Sequence, residues 1–312
     1  MPSISVIIPA YNAEKYIGEA IESALAQTRP AQEILVVDDA SADRTVEVVR
    51  GFGERVRVLV NPANRGPGHC RNAGVAASTG KYLAFLDSDD IWMPGHLESL
   101  GRLMDEHSDL GIAFCPVIWF GDRTGQWPAS VSKNEGPRDV FLEMIRNITC
   151  VPSAMMVRRT GHEAIGGFDE GQHRYRGRRI QAEDLDYVIR LSLEVPVMAD
   201  EEPSARYRVH PEQASVIRVQ QVLLAFHYRL RILLALAANP RHLGLLQAAQ
   251  DKVIRCWEEH IEAVWAERDM VGLRQMIRFG LRNGLLRKAT WPYLGKAGLP
   301  RIGVGILDRL HR

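Results

Sequence analysis

The chain has 312 residues, 46% hydrophobic and 25% charged, an ordinary globular balance with room for a large core and two domains. The net charge of +1 points to no polyanionic partner such as nucleic acid. The charge is unevenly spread, however. Residues 216–312 carry 16 Lys/Arg against 7 Asp/Glu, leaving 23 against 31 in the first 215, so an acidic body carries a basic tail. The cysteines Cys70, Cys115, Cys150 and Cys256 lie far apart with no metal-type spacing, which fits a reduced, cytoplasmic compartment. The chain opens directly into Ile4-Ser-Val-Ile-Ile8, so no signal peptide is expected. No uncharged apolar run reaches the roughly 18 residues of a spanning helix, and the longest candidate is only Ile232 to Ala238.

Strand and helix signals alternate through the first hundred residues. Ile4–Pro9 reads as an apolar strand, and Glu14–Gln27 as a helix with Ile17, Ala20, Ile21, Ala24 and Leu25 at helical spacing. Ile34–Val37 is a second strand, followed by a short helix to Val49 that Ser41 or Asp43 would cap. Val56–Val60 and Tyr82–Leu86 are further strands, with helices over 68–77 and 96–107. Such alternation predicts an α/β fold with a mostly parallel, doubly wound sheet. Beyond Leu110 the pattern loosens. It predicts a strand over 111–119, a polar loop over 121–136, a helix over 139–146, a strand over 153–157, a helix over 183–194, and strands near 197–200 and 207–209. From Val216 onward it is helical, interrupted at Asn239-Pro240. The domain boundary therefore falls near Ser215, with an α/β body over 1–215 and a helical region over 216–312.

The strand ends carry the chemistry. Tyr82-Leu-Ala-Phe-Leu runs into Asp87-Ser-Asp89-Asp90, three acids at the edge where ligands bind in an open α/β sheet. Packed carboxylates repel unless a cation or donors offset them, so Asp87 and Asp89 predict a divalent metal at a nucleotide site. A turn capping the next helix is the plainer alternative. The first strand ends in Pro9-Ala10-Tyr11-Asn12. This turn lacks the glycines of a dinucleotide fold but offers an aromatic face for a base. Asp39 can accept from a base N–H or a ribose hydroxyl, and Arg71 can face a base carbonyl or a phosphate. Glu183-Asp184 opens a helix. There the acids either complement the helix dipole or serve as a general base.

In combination these pieces resemble the family-2 glycosyltransferases of GT-A fold. The matching segments are Val6-Ile-Ile-Pro-Ala-Tyr-Asn12, Val36-Val-Asp-Asp-Ala-Ser41, Asn64-Arg-Gly66, residues 71–80, Phe85-Leu-Asp-Ser-Asp-Asp90, Gly166-Gly-Phe-Asp-Glu170 and Glu183-Asp184. The resemblance covers residues 3–210. It implies inverting, metal-dependent transfer from a nucleotide sugar, with a UDP-sugar favoured by family habit. Pro9, Ala10, Tyr11 and Asn12 would line the base, and Asp39 and Arg71 would read its edge. Asp87 would touch ribose or metal, and Asp89 would ligate Mn²⁺ or Mg²⁺. Asp184 would be the catalytic base with Glu183 beside it, and His210 a further metal ligand. The acceptor is expected to be a glycan or a lipid-linked sugar in cell-envelope polysaccharide synthesis.

The arginine-rich loop over 171–179 suits an acceptor phosphate or, equally, plain solvent. From Asp269 the tail holds 9 Lys/Arg and 2 Asp/Glu, with Trp291 and Tyr293 among them. It would pack on the body, on a second copy of the chain, or peripherally on anionic lipid at the inner membrane face. Two rival readings stay open: a sugar-phosphate nucleotidyltransferase, and a non-catalytic nucleotide-sugar-binding protein.

Overall fold

A computed structural model of the chain describes residues 2–127, 141–146, 151–171, 174–175, 178–179, 182–211, 218–266, 268–283 and 285. The backbone forms two compact units. The first comprises Met1–Met144, Ile148–Arg174 and Glu183–Gln213, and the second Ile145–Asn147, Tyr175–Ala182 and Ala214–Arg312. Ser215, the expected boundary, lies outside the described residues.

In chain order the first elements are β1 (Ile4–Ala10), α1 (Ile17–Leu25), β2 (Glu33–Asp38), α2 (Thr45–Arg50), β3 (Arg57–Val60), α3 (Pro67–Ala76) and β4 (Tyr82–Phe85). Next come β5 (Ile91–Trp92), α4 (His96–Glu106), β6 (Ile112–Phe114), β7 (Val117–Gly121), β8 (Gly125–Trp127) and α5 (Phe141–Arg146). They are followed by β9 (Met155–Arg158), α6 (Arg159–Ala164), β10 (Arg174–Tyr175), β11 (Arg178–Arg179), α7 (Glu183–Glu194), β12 (Val197–Ala199) and β13 (Ala205–Val209).

Seven strands form the main sheet in the order β12-β6-β9-β4-β1-β2-β3. All pairs are parallel except those of β9, which runs antiparallel to both β4 and β6. The inner strand β1 is buried along its whole length, as expected of a strand covered by helices on both faces. Its one polar side chain, Ser5, is satisfied by donating to Glu33 and accepting from the Gly80 amide, at 2.7 and 2.8 Å. Reversal of β9 matters for the site. It sets the start of β9 beside the carboxyl end of β4, so Ser153 meets Asp87 and Asp90.

A second sheet, β5-β13-β7-β8, flanks the acidic end of β4. The strand expected over 111–119 is therefore two strands in two sheets. Pro116 lies between β6 and β7, and with no N–H to give to a ladder it interrupts the pairing there. The expected polar loop after Gly121 contains β8 as far as Trp127; residues 128–140 are outside the described set.

The second unit contains α8 (Arg218–Ala238), α9 (Leu246–Ala266) and α10 (Met270–Arg282). Phe226, Ile232 and Leu236 of α8, Val253, Trp257 and Ile261 of α9, and Leu273, Met276 and Ile277 of α10 are buried. Their helical spacing gives each helix one apolar stripe. Asp269 caps α10 by accepting from the Gly272 amide at 2.8 Å. Among the described residues no helix is long and apolar enough to cross a membrane.

Helix α3 lies close on the sheet because residue 74 has no side chain. A Cβ there would stand 2.5 Å from the Ile7 side chain. Gly74→Ala is expected to lower unfolding stability by about 1–3 kcal/mol through overpacking. Gly18 of α1 has room, its nearest neighbour being the Val48 side chain at 3.8 Å, so Gly18→Ala should raise stability by about 0.5 kcal/mol. Chemical denaturation of both variants checks the opposite signs.

Candidate active site

Two strand-to-helix turns are stitched together at the carboxyl edge of the sheet. The Asn12 amide donates to the Ser41 hydroxyl at 2.9 Å, and the Asn12 side-chain oxygen accepts from the Ala42 amide at 2.9 Å. Thr45 accepts from the Ala13 amide at 2.8 Å. Asn12 and Ala40 take left-handed backbone angles, φ 49° and 61°. These exchanged bonds hold Tyr11 outward, 53% exposed, with its ring open to a planar ligand. Pro9 and Ala10 are buried, so they offer only backbone to a ligand.

Asp39 is 3% exposed. Its carboxylate accepts from the Gly66 amide at 2.6 Å, the Arg65 amide at 2.8 Å and the Asn61 side chain at 3.0 Å. Its own amide donates to Ala10 at 2.8 Å. Asp39 thus ties three successive strand ends, and most of its roughly four acceptor sites are engaged by the protein.

The Arg71 guanidinium is buried between two acids. Nη2 reaches Asp87 at 2.6 Å and Nη1 reaches Glu183 at 2.8 Å. The planar fork suits two carboxylates at once. Phe168 lies under it, with the guanidinium carbon 5.2 Å from the ring centroid. Phe168 in turn stacks on Tyr187 at 3.7 Å, and the Tyr187 hydroxyl meets His162 at 2.9 Å. The Gly166-Gly167 turn aims Phe168. Gly167 has φ 81°, and a Cβ there would crowd Asn72, whose side chain pairs with both the amide and carbonyl of Phe168. The sequence marked this turn as a motif but left the Phe168–Tyr187–His162 stack unread, because aromatic partners 19 residues apart share no helical period.

Around the acidic run, Asp90 is 1% exposed. It accepts from the Ser153 hydroxyl at 2.6 Å and the Arg208 amide at 2.9 Å. Burial, then the neighbouring Asp89 and Asp87 charges, push its carboxyl well above the ordinary range. Burial raises Asp87 as well, opposed by Arg71. Asp89 carries the remaining carboxylate, and His210 approaches it with Nε2 3.0 Å from Oδ2.

Glu183 and Asp184 open α7. Asp184 is half-buried and accepts from the Leu185 amide at 2.7 Å. Burial and then Glu183 push its carboxyl up to about 6, with Arg71 pulling the other way. A carboxyl in that range is suited to proton transfer near neutral pH. Arg71 therefore gathers Asp87, Glu183 and, electrostatically, Asp184 into one site.

Among the described residues no three His, Cys, Asp or Glu groups form a complete metal cage. Asp89 and His210 instead present one carboxylate oxygen and one imidazole nitrogen side by side. Mg²⁺-type cations keep several waters and are held by one or two carboxylates plus substrate phosphates, and imidazole is an acceptable ligand for transition ions. This donor pair fits a cation completed by a diphosphate.

A parallel sheet with a nucleotide-type edge, a second sheet beside it and acids converging from β4 and α7 define a GT-A glycosyltransferase architecture. Residues 5–166 match glycosyl transferase family 2, and the chain belongs to that family. Among its relatives, the succinoglycan biosynthesis protein ExoO of Rhizobium meliloti is 44% identical over 110 residues, 35% of this chain and 30% of that protein. The UDP-Glc:alpha-D-GlcNAc-diphosphoundecaprenol beta-1,3-glucosyltransferase WfgD of Escherichia coli is 43% identical over 96 residues, 30% of this chain and 38% of that one. The matches thus span about a third of those relatives' lengths. Among solved structures, S. aureus TarS 1-349 in complex with UDP-GlcNAc has the same fold, with a TM-score of 0.62, 21% identity, and 96% and 93% of the two chains covered. The mannosyltransferase PcManGT of Pyrobaculum calidifontis in complex with GDP-Man and Mn²⁺ aligns with a TM-score of 0.57 and 18% identity, over 95% of this chain and 86% of that one.

Removing the Arg71 charge leaves the buried Glu183 and the half-buried Asp87 facing each other. Arg71→Gln is expected to destabilise the first unit by about 3–5 kcal/mol, the usual consequence of breaking a buried ion pair from one side. Unfolding at neutral pH measures the loss, and a change below about 1 kcal/mol would show that the pair contributes no more than a surface one.

Proposed function

We propose that this protein is an inverting glycosyltransferase that moves a sugar from a nucleoside-diphosphate donor, a UDP-sugar by preference, to a hydroxyl of a glycan or lipid-linked acceptor. The observation that carries this is the fork of Arg71, which joins the acid at the end of β4 to the acid pair at the start of α7. Ligands of open α/β sheets bind at that strand edge. Tyr11 offers its exposed ring to the base, Asn12 borders it, and Pro9 and Ala10 supply backbone. Asp39 keeps the pocket rim in place at the edge of the base. Asp87 would touch the ribose or the cation.

Asp184 is the general base. Its carboxylate takes the proton of the acceptor hydroxyl as that oxygen bonds to the anomeric carbon and the bond to the donor phosphate oxygen breaks. Attack from the face opposite the leaving group inverts the anomeric centre. Glu183, fixed by Arg71, keeps Asp184 at the head of α7 and raises its proton affinity. Asp89 and His210 would hold Mn²⁺ or Mg²⁺, which when bound supplies Lewis-acid offset of charge on the departing diphosphate. TarS bound to UDP-GlcNAc and PcManGT bound to GDP-Man and Mn²⁺ support the donor class and the cation. The name of WfgD, with its diphosphoundecaprenol-linked acceptor, supports a lipid-linked acceptor.

The 1–215 region is then the catalytic domain, and 216–312 serves acceptor, membrane-surface or self-association contacts. The basic residues beyond 285 and the arginine-rich loop lie largely outside the described residues. Their charge supports a peripheral position on anionic lipid on the cytoplasmic side.

Asp184→Asn should retain donor binding while turnover falls by about 10²–10⁴-fold. The ionised base is the active form, so wild-type kcat/KM should rise with pH through a midpoint of about 6. Turnover of Asp184→Asn within about tenfold of wild type, or pyrophosphate rather than nucleoside diphosphate as product, removes this mechanism. The lipid contact has its own check. The full chain should pellet with anionic liposomes at low salt and be released as the salt is raised, and equal pelleting with neutral liposomes contradicts it.

A further inference from the structure

Arg208 of β13 joins more parts of the site than any residue so far assigned a role. Its amide donates to Asp90 at 2.9 Å, and its Nε donates to the Asp89 carbonyl at 2.8 Å. Nη2 pairs with Glu19 of α1 at 2.8 Å. The guanidinium carbon lies 4.6 Å from the Tyr16 ring centroid and 4.4 Å from that of Phe120, so the planar group is sandwiched between two aromatic faces. The Tyr16 ring also contacts the His210 ring, with centroids 5.0 Å apart. Strand register explains the convergence. Arg208 pairs with Phe120 across β13 and β7, which puts both side chains on one face of the small sheet. His210 follows two residues later.

We propose that Arg208 is a positioning residue that fixes the Asp89 carboxylate and the His210 imidazole in the arrangement that receives a divalent cation and the donor diphosphate. This rests on the sugar-transfer reading above. Arg208 reaches the acidic run through the Asp90 carboxylate and the Asp89 carbonyl, so its own guanidinium does not occupy the Asp89 carboxylate. The contrast with Asp87, whose carboxylate Arg71 occupies, assigns the two acids different work. An arginine is required because one planar group must fill the slot between Tyr16 and Phe120 while donating in two directions. A lysine at this position has a single donor head and no plane to stack.

The test measures Mn²⁺ binding by the loss of the free-ion electron paramagnetic resonance signal, with and without UDP, in the full-length protein. UDP binding without metal is followed separately by calorimetry. Arg208→Met, which keeps the apolar stem, should weaken Mn²⁺ binding in the presence of UDP by about 10–100-fold, the usual effect of losing a group that orients a metal ligand. Its affinity for UDP alone should be unchanged, and Arg208→Lys should recover only part of the loss. Should Arg208→Met fail to fold, Phe120→Leu removes one wall of the slot and should weaken Mn²⁺ binding in the same direction. Mn²⁺ binding at wild-type strength in a folded Arg208→Met or Phe120→Leu protein overturns the positioning role alone. A wild-type protein that takes up neither UDP nor Mn²⁺ overturns the sugar-transfer reading and this inference with it.

Discussion

The site depends on a buried cation placed between acids that would otherwise repel. Arg71 contacts Asp87 and Glu183 through its two terminal nitrogens and rests on Phe168. Two carboxylates at that separation without a cation would be strongly disfavoured in a buried setting, and a lone guanidinium there equally so. Neither charge is tolerable alone, so each fixes the other. This constraint draws the first residues of α7 to the end of β4, and with them Asp184.

The pair also divides the acids by environment. Asp87 is neutralised by Arg71, and Asp90 is held by Ser153 and the Arg208 amide. Asp89 turns toward His210. Asp184, half-buried beside Glu183, has a proton affinity raised toward neutral pH. Asp87, Asp90, Asp89 and Asp184 thus occupy four different environments although all are one residue type. Burial and neighbours separate them.

Legibility in the sequence followed how local each signal was. The α/β alternation, the buried β1, the start and end of α7 and the break at Asn239-Pro240 are short-range patterns, and the backbone follows them. Reversal of β9 and the split at Pro116 were not readable, because strand direction and sheet membership depend on partners far along the chain. Helix α6 escaped for another reason: it is six residues long and has no periodic apolar face to announce it. The positions of Asp39 and Arg71 near strand ends were legible, but their partners were not. Asp39 holds the loop leading to Gly66, and Arg71 bridges residues 16 and 112 positions away.

The sequence by itself determined which strand ends carry acids and aromatic groups, because hydrophobic runs and their polar punctuation are written locally. It determined the family too, through the order and spacing of those pieces. Only the tertiary structure decided which acid is bridged, which faces His210 and which is raised toward neutral pH. Those properties arise from burial and from charges a few ångströms away, and groups far apart along the chain become neighbours only when the sheet is assembled.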